Sequence, residues 1–158
     1  HEPTQYFPAV VAAVSNADTA NVHALARIYL KRDHYGKASV KNPKKSLGSL
    51  DGGTVRMAPC SDSRLILTEG LEDALTLQQQ LKIPAWATLG WANLRHVKLP
   101  ELPRAKEILF GCDADRIGVK AAEEAADVFR RQGRGVRLLI PPDPYKDFND
   151  VLKAELNL

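Results

Sequence analysis

Acidic side chains follow three apolar, strand-like segments of the chain at the point where each segment ends. Glu69 follows the first of these segments, Asp113 and Asp115 follow another, and Asp147 comes after the last. Carboxylates that lie close together repel one another unless one is protonated or a cation lies among them. Oxygen ligands with no His or Cys nearby suit a hard ion such as Mg²⁺ or Mn²⁺, which joins protein carboxylates to substrate phosphates. The pattern therefore predicts a divalent-metal site, provided that the strand ends meet.

The elements that must bring these acids together alternate along the chain after residue 64. Apolar runs alternate there with segments of helical periodicity. Alternation of this kind favours a mainly parallel sheet of about four strands, flanked by helices and joined by right-handed crossovers. Because ligands bind at the carboxyl ends of such strands, the acids are expected at one edge of the sheet. Strands are predicted at 65–68, 85–89, 107–112 and 135–140, and helices at 71–81, 117–131 and 147–156, with a short helix or turn near 93–97.

Local geometry supports a shared site but leaves a second interpretation open. In an extended segment, residues two apart lie on one side, so Asp113 and Asp115 are expected to face the same way. Asp73 lies one turn beyond Glu69 on the first predicted helix and could support the site. Alternatively, the Asp113/Asp115 pair begins a loop and caps the helix that follows, and Asp147 is placed as an N-cap residue.

The first 60 residues differ from the rest in pattern and charge. Short strand-like runs at 8–14, 22–30, 37–40 and 54–57 predict a small antiparallel meander. This part holds 8 Lys and Arg against 4 Asp and Glu, whereas residues 61–158 hold 14 against 15. We therefore divide the chain into a β-rich segment, 1–60, and an α/β domain, 61–158. Within a basic stretch, Lys44 and Lys45 fit a solvated loop, with phosphate contact as the alternative.

Composition restricts the class of protein. The chain has 158 residues and 44% apolar content, and no apolar run approaches the ~18 residues of a membrane span. No secretory signal pattern is present at the N-terminus, so a cytoplasmic setting without membrane contact is expected. Cys60 and Cys112 have no CxxC spacing or neighbouring His, which argues against a zinc ribbon within the chain. Because the first residue is His1, we expect a fragment or a tag remnant.

Two separated motifs carry a family resemblance. The sequence LILTEGLEDA at 65–74, followed by ILFGCDAD at 108–115, resembles the Toprim domain of primases, topoisomerases and related nucleases. Gly118, Lys120 and the sequence KDFNDVL at 146–152 extend the resemblance, which covers 64–153. Within the family, the chain is most similar to the primase-like Toprim proteins of phages, plasmids and mobile elements. Their Toprim domain is preceded by a segment similar to the one containing RIYL at 27–30 and KSLG at 45–48.

The resemblance implies specific roles for the acidic residues. It makes Glu69 a metal ligand or general acid/base, and it makes Asp113 and Asp115 the principal ligands of Mg²⁺ or Mn²⁺. Asp73 and Asp147 would support a second ion. Asn149 stands where the family's last acidic pair would place its second acid, which weakens the expectation of a second metal, although an amide still offers an oxygen. Three cationic residues are expected to hold phosphates, together with Lys44 and Lys45: Arg116, Lys120 and Lys146.

The implied activity is primer synthesis, a metal-dependent nucleotidyl transfer with a single-stranded DNA template and nucleotides as partners. A helicase or a zinc-binding domain outside this chain would complete such a system. One alternative is a Toprim nuclease, and another is a non-catalytic nucleic-acid-binding module whose acidic site is degenerate. A topoisomerase is disfavoured because none of the four tyrosines lies in a nucleophile-like context. A phosphatase of the haloacid dehalogenase type would carry its DxD on the first strand, and Glu69 precedes the DxD here.

Overall fold

The computed structural model describes residues 6–17 and 21–157. The N-terminal part forms a three-stranded antiparallel sheet in the order β1-β2-β3. Its strands are β1 (Ala9–Ser15), β2 (Val22–Tyr29) and β3 (Lys44–Leu47). Because residues alternate between faces along a strand, Ala24, Ala26 and Ile28 turn inward and are buried.

The rest of the chain forms a five-stranded sheet in the order β4-β6-β5-β7-β8. Its strands are β4 (Val55–Arg56), β5 (Arg64–Thr68), β6 (Ala85–Ala87), β7 (Glu107–Gly111) and β8 (Gly135–Leu139). Strand β4 pairs antiparallel with β6, and the other pairs are parallel. The helices are α1 (Leu71–Leu81), α2 (Trp91–Leu94), α3 (Arg116–Arg131) and α4 (Phe148–Glu155). The predicted α/β architecture with a preceding antiparallel sheet is confirmed.

The larger sheet is buried on both faces, as parallel sheets usually are. Along β5, Leu65 and Leu67 belong to a core cluster with Phe129 of α3, whereas Ile66 belongs to a cluster with Leu77 of α1. The inward residues of the three-stranded sheet join this second cluster. The small sheet therefore packs on the same side as α1, beside the carboxyl ends of the parallel strands.

Three predictions about the N-terminal segment are wrong. Residues 37–40 contribute only an isolated bridge between Leu30 and Lys37, because Val40 donates a backbone hydrogen bond to Ala38 at 2.9 Å and the chain turns away. The third strand is instead 44–47, within the basic stretch that was expected to be a loop. Strand β4 joins the larger sheet rather than the meander, which gives that sheet five strands instead of four.

Among residues 6–17 and 21–157, none of the helices combines the length and the apolar character that crossing a membrane requires.

Candidate metal and nucleic-acid site

A cleft of about 370 Å³ lies between the three-stranded sheet and the carboxyl edge of the five-stranded sheet. One wall comes from β2 and β3. The other comes from the residues that follow β5 and β7 and those that begin α4. Acidic and cationic side chains both line it: Glu69, Glu72, Asp73, Asp113 and Asp147, with Arg27, Lys37, Lys44, Lys45 and Lys146.

Backbone hydrogen bonds hold the three acidic loops at this edge. The Leu89 N–H donates to the Glu69 carbonyl at 2.9 Å, which fixes the end of β5. The Ala114 N–H donates to the Lys146 carbonyl at 2.8 Å and so joins the loop after β7 to the loop before α4. Residues distant in sequence are thereby brought together, as the strand-end argument predicts.

Burial and neighbouring charges raise the pKa of both Glu69 and Asp113. Burial raises the pKa of Glu69, the charge of Asp113 raises it further, Lys44 opposes the rise, and Asp115 adds to it. Burial also raises the pKa of Asp113, as do the charges of Asp147 and Asp115. A carboxylate acts in this way only on neighbours within several ångströms. Glu69 and Asp113 both line the cleft and therefore lie at the same edge of the sheet, whereas Asp115 lies outside the lining.

Asp73 is the most enclosed of these acids, at 9% exposure. Its Oδ1 accepts a hydrogen bond from the backbone N–H of Asn149 at 3.0 Å, which links α1 to α4. Burial raises the pKa of Asp73 to about 6 against this hydrogen bond, and the charges of Asp147 and Asp113 contribute. Asn149 thus meets the acidic site through its main chain at the position where the family pattern expects an acid.

Two of the predicted ligands also cap helices. Asp115 is the N-cap of α3 and accepts from the Gly118 N–H at 2.7 Å. Asp147 is the N-cap of α4 and accepts from the Asp150 N–H at 2.7 Å. The capping interpretation of both residues is therefore correct. A carboxylate has two oxygens, so capping does not exclude a second role.

The donor chemistry of this edge fits a hard divalent cation that is only partly coordinated by protein. Within the described residues, no group of three or more His, Cys, Asp or Glu side chains is arranged to hold a metal ion. Mg²⁺ commonly uses one or two carboxylates and completes its shell with water and substrate phosphate. Glu69 and Asp113, whose pKa values are raised by burial and by neighbouring acids, would supply oxygen ligands and negative potential to such an ion.

Lys44 reaches the acidic wall through an ion pair that sequence analysis missed. Glu72 binds Lys37 at 2.7 Å through Oε1 and Lys44 at 3.3 Å through Oε2. Burial would raise the pKa of Glu72, but the hydrogen bond from Lys37 and the charges of both lysines lower it overall. These contacts connect the small sheet to the first turn of α1.

The remaining predicted cations lie in different places. Lys146 lines the cleft. Lys45 places its Nζ 5.8 Å from the centroid of the Tyr29 ring, and that ring lies on the opposite face of the small sheet from Lys44. Arg116 and Lys120 lie on the exposed side of α3, outside the lining of the cleft, and Lys120 pairs with Glu124 at 3.8 Å. The structure therefore brings Lys44 and Lys146 to the cleft, places Lys45 at its border with the outer face of the small sheet, and leaves Arg116 and Lys120 outside it.

The family model described as Toprim domain matches residues 64–157, and a model described as a domain of unknown function (DUF7146) matches residues 1–57. No similar sequence was found among proteins of curated function.

Three similar solved structures are primase domains. A DNA primase domain from Pseudomonas aeruginosa has 21% identity and a TM-score of 0.64, with 93% of this chain and 47% of that chain covered. The primase fragment of the bacteriophage T7 primase-helicase has 21% identity and a TM-score of 0.63, with 93% of this chain and 58% of that chain covered. A primase catalytic domain bound to single-stranded DNA has 18% identity and a TM-score of 0.63, with 93% of this chain and 47% of that chain covered.

This chain therefore spans about half the length of the structures it matches. At these identities the likeness establishes the fold, which includes both the small sheet and the larger one. Because the Toprim model matches more than half of the sequence, the chain belongs to the Toprim family.

Proposed function

We propose that this protein is the Toprim part of a primase and transfers nucleotidyl groups onto a primer on single-stranded DNA. The observation that carries the proposal is the cleft itself, in which a wall of strand-end acids faces a wall of cations. Substrate phosphates need cations, and a metal that bridges to them needs carboxylates. The similar primase domains lend support, since one is bound to single-stranded DNA and another belongs to a primase-helicase.

Asp113, Asp115 and Glu69 would hold Mg²⁺ or Mn²⁺, which supplies charge neutralisation at phosphate oxygens when bound. Glu69 has a raised pKa, which makes it a better proton acceptor than an ordinary carboxylate. Asp73 and Asp147 would support the site from the α1 and α4 side. Because Asn149 offers no second carboxylate there, we expect the supporting position to bind a second ion only weakly.

The cations have separate tasks in this proposal. Lys146 and Lys44 lie in the cleft and would contact the phosphates of the incoming nucleotide. Lys45 would contact the template strand at the edge of the small sheet. Arg116 and Lys120 lie outside the cleft, so a phosphate contact there would involve more distant nucleic acid. A helicase or zinc-binding domain outside this chain and a cytoplasmic setting belong to the same proposal.

The decisive experiment compares the protein with its Asp113→Asn variant. Each is incubated with Mn²⁺ or Mg²⁺, nucleotides and a labelled single strand, and the product lengths are measured. We expect elongated products from the protein and none from the variant, with Asp127→Asn on the exposed face of α3 as the matched control. Circular dichroism verifies that both variants fold. Undiminished elongation by Asp113→Asn would refute the proposed site, and shortened products would identify a nuclease instead.

A non-catalytic nucleic-acid-binding module is the second candidate function. Two observations favour it: Asn149 replaces an expected acid, and the described residues contain no ready-made three-ligand metal group. This candidate predicts single-strand binding that persists in chelator, with neither elongation nor cleavage under any divalent metal.

A further inference from the structure

A second pocket, of about 330 Å³, lies on the outer face of the three-stranded sheet, opposite the face that packs on the core. This volume is within the range of small-ligand sites, roughly 300–1,000 Å³. Two aromatic rings, two ammonium groups and an amide surround it, and no carboxylate lines it among the described residues. The lining residues are Phe7, Tyr29, Val40, Lys41, Asn42 and Lys45.

The two aromatic rings form a half-buried platform. Their centroids are 6.3 Å apart and their planes are inclined at 51°. The main chain at Tyr29 is held on both sides, because its N–H donates to the Pro43 carbonyl at 2.8 Å and its carbonyl accepts from the Ala38 N–H at 2.8 Å. A ring with part of its surface open to solvent can stack on a nucleobase, and such stacking is tolerant of sequence because every base has an aromatic face.

Cations without anionic partners surround this platform. The Lys45 Nζ lies 5.8 Å and the Arg27 Cζ 6.0 Å from the Tyr29 ring centroid, near the outer limit of a cation–π contact. In the part of the chain that the structure describes, neither residue forms an ion pair, and neither does Lys41. The Arg27 Nε is buried and has no hydrogen-bond partner. By contrast, Lys37 and Lys44 share one anionic partner, Glu72.

The outer pocket and the acidic cleft adjoin at Lys45, which lines both. Arg27 also lines the cleft. Strand β3 is an edge strand of the small sheet, so a bound chain can pass around it from one cavity to the other. Arg27 and Lys45, which form no ion pair among the described residues, lie along that route, where they can contact a phosphate backbone.

We propose that the Phe7–Tyr29 pocket binds an unstacked base of single-stranded DNA, whose backbone runs along Lys41, Lys45 and Arg27 to the acidic cleft. This inference rests on the proposed function, because it identifies where the template strand leaves the reaction site. A duplex, whose bases are already stacked and paired, cannot fill the pocket in this way.

The test is the binding of a fluorescently labelled oligothymidylate to the purified protein, measured by anisotropy in the presence of EDTA. Phe7→Ala removes one ring and should weaken binding by about 5- to 100-fold, with an unchanged salt dependence. Lys45→Gln should lower the slope of log affinity against log salt by about 0.7, since one phosphate contact is lost. Tyr35→Ala, at a fully exposed ring, and Lys106→Gln, at an exposed residue just before β7, are the matched controls and should leave both quantities unchanged.

Circular dichroism and urea unfolding verify that Phe7→Ala folds as the parent does, which guards against a folding artefact. The inference is overturned if Phe7→Ala binds as tightly as the parent, if it weakens binding no more than Tyr35→Ala, or if a duplex of the same length competes equally well. These outcomes are independent of Asp113→Asn, which should abolish elongation but not binding in EDTA. Unaltered elongation by Asp113→Asn, combined with weak binding by Phe7→Ala, would refute the proposed function but support the binding of single-stranded DNA at the Phe7–Tyr29 pocket.

Discussion

Asp73 is the acid at the cleft whose ionisation opposes folding most clearly. Its pKa is raised to about 6 from an ordinary value of 3.8, chiefly by burial. The substitution Asp73→Asn removes the charge but keeps an oxygen that can accept the hydrogen bond from the Asn149 N–H, now at 3.0 Å. The variant therefore isolates the effect of the charge on the free energy of unfolding.

The magnitude follows from the difference between the folded and unfolded pKa values. A pKa that rises from 3.8 to about 6 on folding corresponds to about 3 kcal/mol. Because the folded pKa is the higher one, the protein has this additional stability of about 3 kcal/mol in full below about pH 4, where Asp73 is protonated in both states. It loses this stability as the pH rises through about 6, where Asp73 ionises in the folded protein. Exposure of only 9% leaves little solvent screening to reduce the figure. Asp73→Asn should therefore be more stable than the parent by up to about 3 kcal/mol at pH 8, with a much smaller difference at pH 4.

Urea unfolding followed by tryptophan fluorescence measures this difference, since Trp86 is buried at 1% exposure. The titration is carried out in EDTA at several pH values, and the exposed Asp33→Asn serves as control. Subtracting the parent from the variant cancels groups that titrate independently of Asp73. A stability difference that is the same at pH 4 and pH 8, or a variant that is less stable at both, would refute the reasoning. If the proposed metal binds, Mg²⁺ at pH 8 should stabilise the parent more than the variant.

Two further predictions concern the packing that holds the site in place. Gly111→Ala should reduce the free energy of unfolding by about 1–3 kcal/mol in urea titrations, because its Cβ would overlap Leu77 of α1 and lie 2.9 Å from Thr68; unchanged stability would contradict this packing. Asn93→Ala should cost about 1–3 kcal/mol in the same assay, because its amide accepts from the Gly52 N–H at 2.9 Å and donates to two carbonyls. An isosteric Asn93→Asp should restore only part of that loss, since it cannot donate.

The parallel sheet and the meeting of its strand ends were predictable from the sequence. Strands buried on both faces must be apolar throughout, and β5 and β7 are apolar runs that stop at Glu69 and Asp113. Once such runs alternate with helices, the sheet and its ligand-binding edge follow from topology. The proximity of Glu69 to Asp113 is thus a consequence of the fold class rather than of any local contact.

The strand character of β3 and the sheet to which β4 belongs were not predictable, because the residues of these strands do not determine them. Strand β4 has two residues, and its place in the larger sheet comes from pairing with β6 rather than from any propensity. Strand β3 is exposed along its whole length and carries two lysines, which are unusual in strands. Pairing with β2 makes these residues a strand in spite of their exposure and their low strand propensity. The predicted boundary between residues 60 and 61 stays a prediction, although β4 pairs within the larger sheet.

The register of β2 with β3 explains why two adjacent lysines do different things. Lys44 pairs with Ile28 and shares its inward face, whereas Lys45 pairs with Arg27 and shares the outer face with Tyr29. A loop, as the sequence suggested, would make the two cations interchangeable. A shift of one residue would move Lys45 to Glu72 and Lys44 to the aromatic platform, because side chains alternate with a period of two. The pairing of this edge strand, more than the number of basic residues in it, therefore decides which cation serves the acidic cleft and which serves the outer pocket.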